Sequence, residues 1–306
     1  MLRFMTLRLL RAIATMAVVL VIAFVTLRYS GTPFERMYPE GLTPEHQAAL
    51  EAKLGLDQPI WVQFQVYVTN MLQGDFGRSL FTGERVWVIY AERIGATVTI
   101  GGLALLLAIA LGVPLGAAAA LYRHNPLTQA GMGLAFLGYA VPHFVIGIAL
   151  ILFFGYYLRV LPSTGLLTPE HYILPVITLA IPMIATIARF MRAAMLDAIT
   201  APHVMTAAGK GLGDGAIARA HILRNAMIPL ITVLGLEIAA VLNGSIFVEA
   251  VFSLPGVGRV LVGAVADRDF PVLQFGVLAY AAIVVAVSLI IDLLYVAADP
   301  RVRLEG

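Results

Sequence analysis

Residues 97–121 read TVTIGGLALLLAIALGVPLGAAAAL, a stretch of 25 residues without a charged side chain. A helix rises about 1.5 Å per residue, so this stretch is long enough to cross the roughly 30 Å hydrocarbon core of a bilayer. Its apolar residues are continuous and do not alternate with polar ones, which argues against a strand of a membrane β-barrel. The stretch therefore predicts a membrane-spanning helix.

Five further apolar stretches of similar length occur along the chain. They cover Leu9–Leu27, Gly131–Leu158, Tyr172–Ala194, Ile228–Phe252 and Val272–Ala298. Several contain an internal proline or glycine, which spanning helices tolerate because neighbouring helices and hydroxyl groups bond the freed backbone groups. We predict an all-α, polytopic membrane protein with six transmembrane helices, forming one domain over residues 1–306.

The composition of the whole chain fits a lipid environment. Hydrophobic residues make up 60% of the 306 residues and charged residues 12%, about half the charged share of a soluble domain. The mean hydropathy is +0.90. A formal net charge of +2 gives no electrostatic basis for binding nucleic acid. Because the chain has no cysteine, disulfides, zinc–thiolate sites and cysteine nucleophiles are excluded.

Arginine and lysine indicate the orientation, since short cytoplasmic loops carry an excess of them. With the N-terminus inside, the short outer loops hold only Arg159, Arg259 and Arg268. The inner segments then hold Arg3, Arg8, Arg11, Arg123, Arg189, Arg192, Lys210, Arg219, Arg224, Arg301 and Arg303. The first stretch also has the basic start of a signal peptide, but no small-residue cleavage site follows it. We expect a retained span and cytoplasmic termini.

Residues 28–95 form a long outer loop, which we predict to be an external subdomain. Thr43-Pro44-Glu45 supplies an N-cap, a first-turn proline and an acid, and Leu54-Gly55 fits a helix end. A short external helix from Pro44 to Leu54 is therefore predicted. Aromatic residues typical of a membrane interface follow at Trp61, Phe64, Tyr67, Trp87 and Tyr90.

The longest cytoplasmic loop, residues 195–227, is rich in alanine, glycine and basic residues. Small residues on a short helix leave a shallow surface that another protein can approach closely. Gly211 and Gly213 are suited to end such a helix and turn the chain. On the residues alone, a docking element for a soluble motor and a plain connector are equally good interpretations.

Motifs in this loop resemble the coupling loop of ATP-binding-cassette (ABC) importer permeases of the dipeptide and oligopeptide branch. That branch reads Thr-Ala-x-Ala-Lys-Gly-Leu, then Leu-Arg-Asn-Ala, then a proline. Here residues 206–212 read TAAGKGL, residues 223–226 read LRNA, and Pro229 follows. Further matches to the family occur in order at GLDQP (55–59), GDFGRS (74–79), VEAVFSLPGVGR (248–259), RDFPV (268–272), DLLY (292–295) and DPR (299–301).

The chain departs from the family pattern at three places in this loop. Met205 stands where the general ABC pattern has glutamate, although peptide-type members commonly lack it. Pro202-His203 replaces a frequent Asp-Tyr, and Ala208 lies where arginine is usual. These departures bear on individual contacts with a motor and leave the architecture unchanged.

The resemblance implies the fold of a type I ABC importer permease and a coupling helix that docks on an ATPase. The implied coupling residues are His203, Met205, Thr206, Ala207, Ala208, Gly209, Lys210, Gly211 and Leu212. We expect the three small residues of the helix, Ala207, Ala208 and Gly209, to permit close approach, and Gly211 to set the exit turn.

The same resemblance implies a heteromeric complex in a bacterial inner membrane. Its other members would be a second homologous permease, two ATP-binding subunits and an extracytoplasmic solute-binding protein. The chain would be no enzyme and would bind no cofactor, since ATP and Mg belong to the partner ATPases. Consistent with this, Gly209-Lys210-Gly211 lacks the hydroxyl residue and spacing of a phosphate loop. Di- or oligopeptides are the implied substrates, with glutathione, nickel chelates and sugars as alternatives.

Polar residues inside spans are candidates for function. Glu237, Asn243 and Gly244 lie in the fifth predicted span, and we assign them to the translocation path, with helix packing as the alternative for Glu237. A secondary transporter is the competing class and would use Glu237 or Asp292 for proton coupling. Such transporters often contain inverted repeats, and none is found in this sequence.

The predicted orientation is testable because any introduced cysteine is the only one in the chain. An impermeant thiol reagent with access to the outer face of the membrane should label Gln47→Cys and should not label Lys210→Cys in intact cells. Membrane disruption should make the second position reactive. Labelling of position 210 but not of position 47 in intact cells would show that the orientation is the opposite of the predicted one.

Overall fold

The computed structural model describes residues 2–298, which contain helices and, within that range, no strand beyond an isolated bridge between Arg78 and Arg85. The all-α prediction is therefore confirmed. The α-helices in chain order are α1 Leu2–Tyr29, α2 Phe34–Met37, α3 Pro44–Lys53, α4 Ile60–Leu72, α5 Val86–Leu121, α6 Pro126–Ala140, α7 His143–Leu150, α8 Ile173–Ile199, α9 Pro202–Gly209, α10 Asp214–Ile217, α11 Arg224–Val251, α12 Val257–Asp267 and α13 Phe270–Ala298. The predicted cytoplasmic C-terminus and the DPR match at 299–301 lie outside the described residues.

Five of these helices are long and apolar enough to cross a membrane, namely α1, α5, α8, α11 and α13. They confirm five of the predicted spans. The described chain reaches the predicted six crossings only if α6 and α7 together form one span.

The prediction of a continuous third helix over Gly131–Leu158 is wrong. The chain bends by 106° between α6 and the segment that begins at His143. Pro142 has no N–H for the preceding turn, and its ring excludes the helical conformation at Val141, which is extended with φ −93° and ψ 129°. Beyond α7 the chain continues as a π-helical stretch, Ile151–Tyr157.

The second span begins earlier than predicted, at Val86 and not at Thr97. Glu92 and Arg93 interrupt the apolar run, so hydropathy alone excludes this first part of the helix. Of the two aromatic residues expected there as interface anchors, Trp87 is exposed, whereas Tyr90 is buried and donates a hydrogen bond to the Val272 carbonyl at 3.0 Å.

The described chain divides into two compact units. The first covers Ala96–Pro255 and the chain from Ala286 onward, and its core surrounds α8. A Cβ on Gly116 of α5 would overlap the Ala188 carbonyl oxygen and lie 2.8 Å from Met191 Cβ. The α5 and α8 backbones therefore approach as closely as small residues allow, which is how helices gain packing energy in lipid.

Further glycines on α5 and on three other helices of this unit also lie close to α8. The pairs are Gly112 of α5 with Ile187, Gly138 of α6 with Ile181, Gly147 of α7 with Thr178, and Gly244 of α11 with Leu179. The central position of α8 is thus set by small residues on four neighbouring helices.

The second unit covers Leu2–Gly95 and Gly256–Val285. The predicted external helix is confirmed as α3, where the Thr43 side chain accepts a hydrogen bond from the His46 backbone N–H at 3.4 Å. Phe64 and Tyr67 of α4 pack on the buried Phe24 of α1, with ring centroids 5.2 Å and 5.7 Å away. Burial raises the pKa of Tyr67 to about 12.

A buried carboxylate joins two distant segments of this second unit. Asp269 accepts hydrogen bonds from the Ser79 hydroxyl at 2.5 Å and from the Leu80 N–H at 3.2 Å. Burial raises the pKa of the Asp269 carboxyl, and these two bonds partly offset that effect. Arg268, the next residue back along the chain, pairs with Glu35 at 2.6 Å. The GDFGRS and RDFPV segments therefore meet through side-chain hydrogen bonds.

The close approach of α5 to α8 predicts different outcomes for two glycines of α5. Gly116→Ala places a methyl group against α8 backbone, and such overpacking costs about 1–3 kcal/mol. Gly102→Ala is the matched control, because a Cβ there meets nothing within 4 Å and alanine favours the helix. Thermal unfolding of the purified chain in detergent should show a lower midpoint for Gly116→Ala alone. Equal midpoints for both variants would contradict the described packing.

Candidate functional site

The predicted coupling segment forms the short helix α9, Pro202–Gly209, followed by a turn. Ala201 is its extended N-cap and Pro202 occupies the first turn, where a missing N–H costs nothing. The helix ends at Gly209, two residues before Gly211, which the sequence suggests as the turn. Gly211 has φ +80°, so the chain takes a left-handed turn at the position where the exit turn is expected.

Helix α9 has one face against its own chain and one face outside. Val204 and Ala207 are buried in the core of the first unit. The remaining predicted coupling residues are exposed in the described chain: His203, Met205, Thr206, Ala208, Gly209, Lys210, Gly211 and Leu212.

The burial of Ala207 corrects one sequence expectation. This residue is 4% exposed, so it supports α9 from beneath and does not form part of an outward surface. Ala208 and Gly209, the other two small residues, are exposed, and a Cβ at Gly209 would meet nothing within 4 Å. A second protein can therefore approach at these two positions.

A hydrogen-bonded asparagine holds α9 in place. The Asn225 side-chain nitrogen lies 2.7 Å from His203 Nε2 and donates to the His221 carbonyl, also at 2.7 Å. Asn225 is the third residue of the LRNA motif, but its role was missed because its partner His203 is 22 residues away in sequence. Ile217 and Ile222 are buried in the same core, so the segment after α9 is fixed as well.

The outward surface of α9 presents one large apolar side chain and two small residues. Met205 is 69% exposed and adaptable in shape, while Ala208 and Gly209 add almost no bulk. The Thr206 hydroxyl donates to the Pro202 carbonyl at 3.0 Å, and His203 Nε2 faces the Asn225 amide at 2.7 Å, so these two exposed side chains bond within the chain and not to each other.

The three residues assigned to the translocation path do not share one environment. Glu237 of α11 is buried, with the Thr186 side chain of α8 in hydrogen-bonding reach, whereas Asn243 is exposed. Gly244 is buried, and a Cβ there would lie 3.1 Å from His143 Nε2 and 3.0 Å from Leu179. Gly244 is therefore packed against neighbouring helices, whereas Asn243 is exposed at the surface of the described chain.

A second buried carboxylate lies in the first unit. Glu249 is 1% exposed and accepts a hydrogen bond from the Thr97 hydroxyl at 2.6 Å. This hydrogen bond links α11 to α5 within the first unit. Asp292 is, with Glu237, a candidate for proton coupling in a secondary transporter. Its side chain lies outside the described residues.

Comparison with known proteins adds relatives that match the whole chain. It is 36% identical over 97% of both chains to the probable peptide ABC transporter permease protein y4tP of Sinorhizobium fredii. It is 37% identical over 99% of both chains to the glutathione transport system permease protein GsiC of Salmonella choleraesuis. It is 35% identical to the dipeptide transport system permease protein DppB of Escherichia coli K12, over 86% of this chain and 87% of DppB.

Solved structures share the fold at lower identity. A chain of the MetNI methionine ABC transporter in an inward-facing conformation matches with a TM-score of 0.60 at 15% identity, covering 70% of this chain and 97% of that one. A chain of an amino acid ABC transporter matches with a TM-score of 0.55 at 18% identity, covering 68% and 92%.

Two family descriptions match the sequence itself. Residues 112–304 match the binding-protein-dependent transport system inner membrane component, and residues 1–101 match the N-terminal part of such a membrane component. Together with the full-length relatives, these matches show that the chain belongs to the family of inner membrane components of binding-protein-dependent transport systems, the permease subunits of ABC importers.

Proposed function

We propose that this permease forms one half of a translocation path for di- or oligopeptides. The observation that carries the proposal is the similarity of 35–37% over most or all of the chain to relatives named for peptide, dipeptide and glutathione transport. Glutathione is itself a peptide, so it falls within the same substrate class. A nickel chelate or a sugar has no comparable support.

The proposed complex contains a second homologous permease, two ATP-binding subunits and an external solute-binding protein. The partner ATPases bind ATP and Mg, and this chain binds neither. The complex lies in a bacterial inner membrane with both termini of this chain in the cytoplasm. The arginine distribution supports that orientation.

The mechanism we propose is alternating access driven by the motor. ATP binding closes the two ATPases, and α9 transmits the movement because it is fixed to its own chain by Ala207, Val204 and Asn225. The two permeases then open outward to receive the substrate from the binding protein. Hydrolysis resets the complex. A rigid lever needs both a fixed inner face and a free outer face, and α9 has both.

Dependence on a motor separates this proposal from secondary transport. The purified chain in liposomes should neither hydrolyse ATP nor accumulate a labelled dipeptide, with or without a proton gradient. The control is the complete complex supplied with liganded binding protein and ATP. Uptake by the chain alone, driven by a proton gradient, would overturn the proposal in favour of a secondary transporter.

The coupling role of α9 predicts an uncoupled complex for a charge placed on its outer face. Ala208→Glu would bury an uncompensated carboxylate against the motor, at a cost of about 3–5 kcal/mol. ATPase stimulation by liganded binding protein should fall by more than about tenfold in the reconstituted complex, since each 1.4 kcal/mol corresponds to a factor of ten. The affinity of the binding protein for its ligand should not change.

Two further variants control this experiment. Ala208→Ser keeps the small size and should retain stimulation close to that of the unmodified complex. Ala207→Glu places the charge in the chain's own core and should lower the yield or thermal stability of the chain itself. If the assembled Ala208→Glu complex keeps full stimulation, then α9 is a connector and not the coupling element.

A further inference from the structure

Three buried polar atoms without a protein partner belong to residues around one cavity of the second unit. They are Arg28 Nε, Gln63 Oε1 and Gln274 Nε2, for which the described residues supply no hydrogen bond. Proteins rarely bury such atoms without a partner, so each one calls for an explanation. Three around one cavity indicate a site that receives a polar ligand.

The surrounding contacts fix the directions in which these groups can bond. Gln63 Nε2 donates to the carbonyl oxygens of Leu56 at 3.1 Å and Gln58 at 2.8 Å, which leaves Oε1 as a free acceptor. Gln274 is only 4% exposed, so its amide has no access to bulk solvent.

The third group is the Arg28 guanidinium, which lies beside two aromatic rings. The Arg28 guanidinium carbon lies 5.1 Å from the ring centroid of Phe24 and 5.9 Å from that of Phe270. The cavity that Arg28, Gln63 and Gln274 line has a volume of about 240 Å³. A water molecule occupies about 30 Å³, and drug-sized ligands occupy pockets of about 300–1,000 Å³, so this cavity suits a small molecule.

The polar groups are complementary to a molecule with two opposite ends. Arg28 and Gln274 are donors and Arg28 is cationic, so together they favour a carboxylate. Gln63 Oε1 is an acceptor, and Asp75, which also lines the cavity, uses one carboxylate oxygen for the Gly77 N–H at 2.9 Å and has the other available. These two favour an ammonium group. Apolar side chains complete the wall at Val62, Val66 and Tyr67.

We propose that this cavity binds a small zwitterionic amino acid or dipeptide, with its carboxylate at Arg28 and Gln274 and its ammonium at Gln63 and Asp75. The site is built within the second unit and is separate from α9 and from the residues assigned to the path. The inference rests on the geometry of this cavity and not on the proposed transport function.

The test is equilibrium binding of labelled L-alanyl-L-alanine to the full chain in nanodiscs that lack ethanolamine lipids. We expect saturable binding with a Kd at or below about 1 mM. N-acetylation of the dipeptide removes its ammonium and amidation removes its carboxylate, and each change should weaken binding. Gln274→Leu should weaken binding of the unmodified dipeptide about tenfold, since a hydrogen bond to a charged group is lost. Gln274→Leu should change the affinity for the amidated dipeptide much less, because that dipeptide has no carboxylate to bind at Gln274.

Gln65→Leu is the matched control, because Gln65 lies exposed on α4, two residues from Gln63 and outside the cavity wall. It should leave the affinity unchanged. Absence of saturable binding, together with a higher unfolding temperature for Gln274→Leu, would mean that the cavity holds water only and would overturn the proposal. Tighter binding of phosphoethanolamine than of the dipeptide would also overturn it, because the site would then recognise a lipid headgroup. Dipeptide binding to this cavity does not require a working motor. A negative result in the ATPase experiment would therefore leave the binding proposal standing, and a negative binding result would leave the transport proposal standing.

Discussion

The hydrocarbon core of a bilayer offers no water to an unpaired backbone N–H or C=O, and the long helices of this chain follow from that constraint. Once each helix has satisfied its own backbone, lipid provides little hydrophobic force to bring helices together, so close packing must do so. Helix α8 is the clearest case, because glycines of α5, α6, α7 and α11 allow these helices to approach it.

Where the hydrogen bonds of a helix are interrupted, or a polar side chain is buried, a specific residue of the chain explains it. Pro142 ends one helix and begins the next, and the 106° bend that results turns one apolar segment into two elements. Buried carboxylates are satisfied by hydroxyl groups, Glu249 by Thr97 and Asp269 by Ser79. The cavity around Gln274 differs, since its polar atoms lack such partners within the described chain.

The functional value of α9 depends on which of its faces is free. An eight-residue helix can transmit movement only if one side is held, and Val204, Ala207 and the Asn225–His203 contact provide this support. The opposite side presents Met205, Ala208 and Gly209. A motif that reads as a row of small residues thus divides into a buried side and an exposed side, with Ala207 on the first and Ala208 on the second.

The sequence by itself determined the helical class, the approximate positions of the membrane segments, the external helix α3 and the presence of a turn at Gly211. These features depend on local properties: hydropathy over one segment, a capping residue, or a position that favours glycine. The break of the third segment at Pro142 is local as well, although hydropathy alone does not reveal it. Only the tertiary structure decided the burial of Ala207, the Asn225–His203 contact and the grouping of Arg28, Gln63 and Gln274. Each of these depends on residues distant along the chain or on which face of a helix meets its neighbours, and neither is fixed until the helices pack.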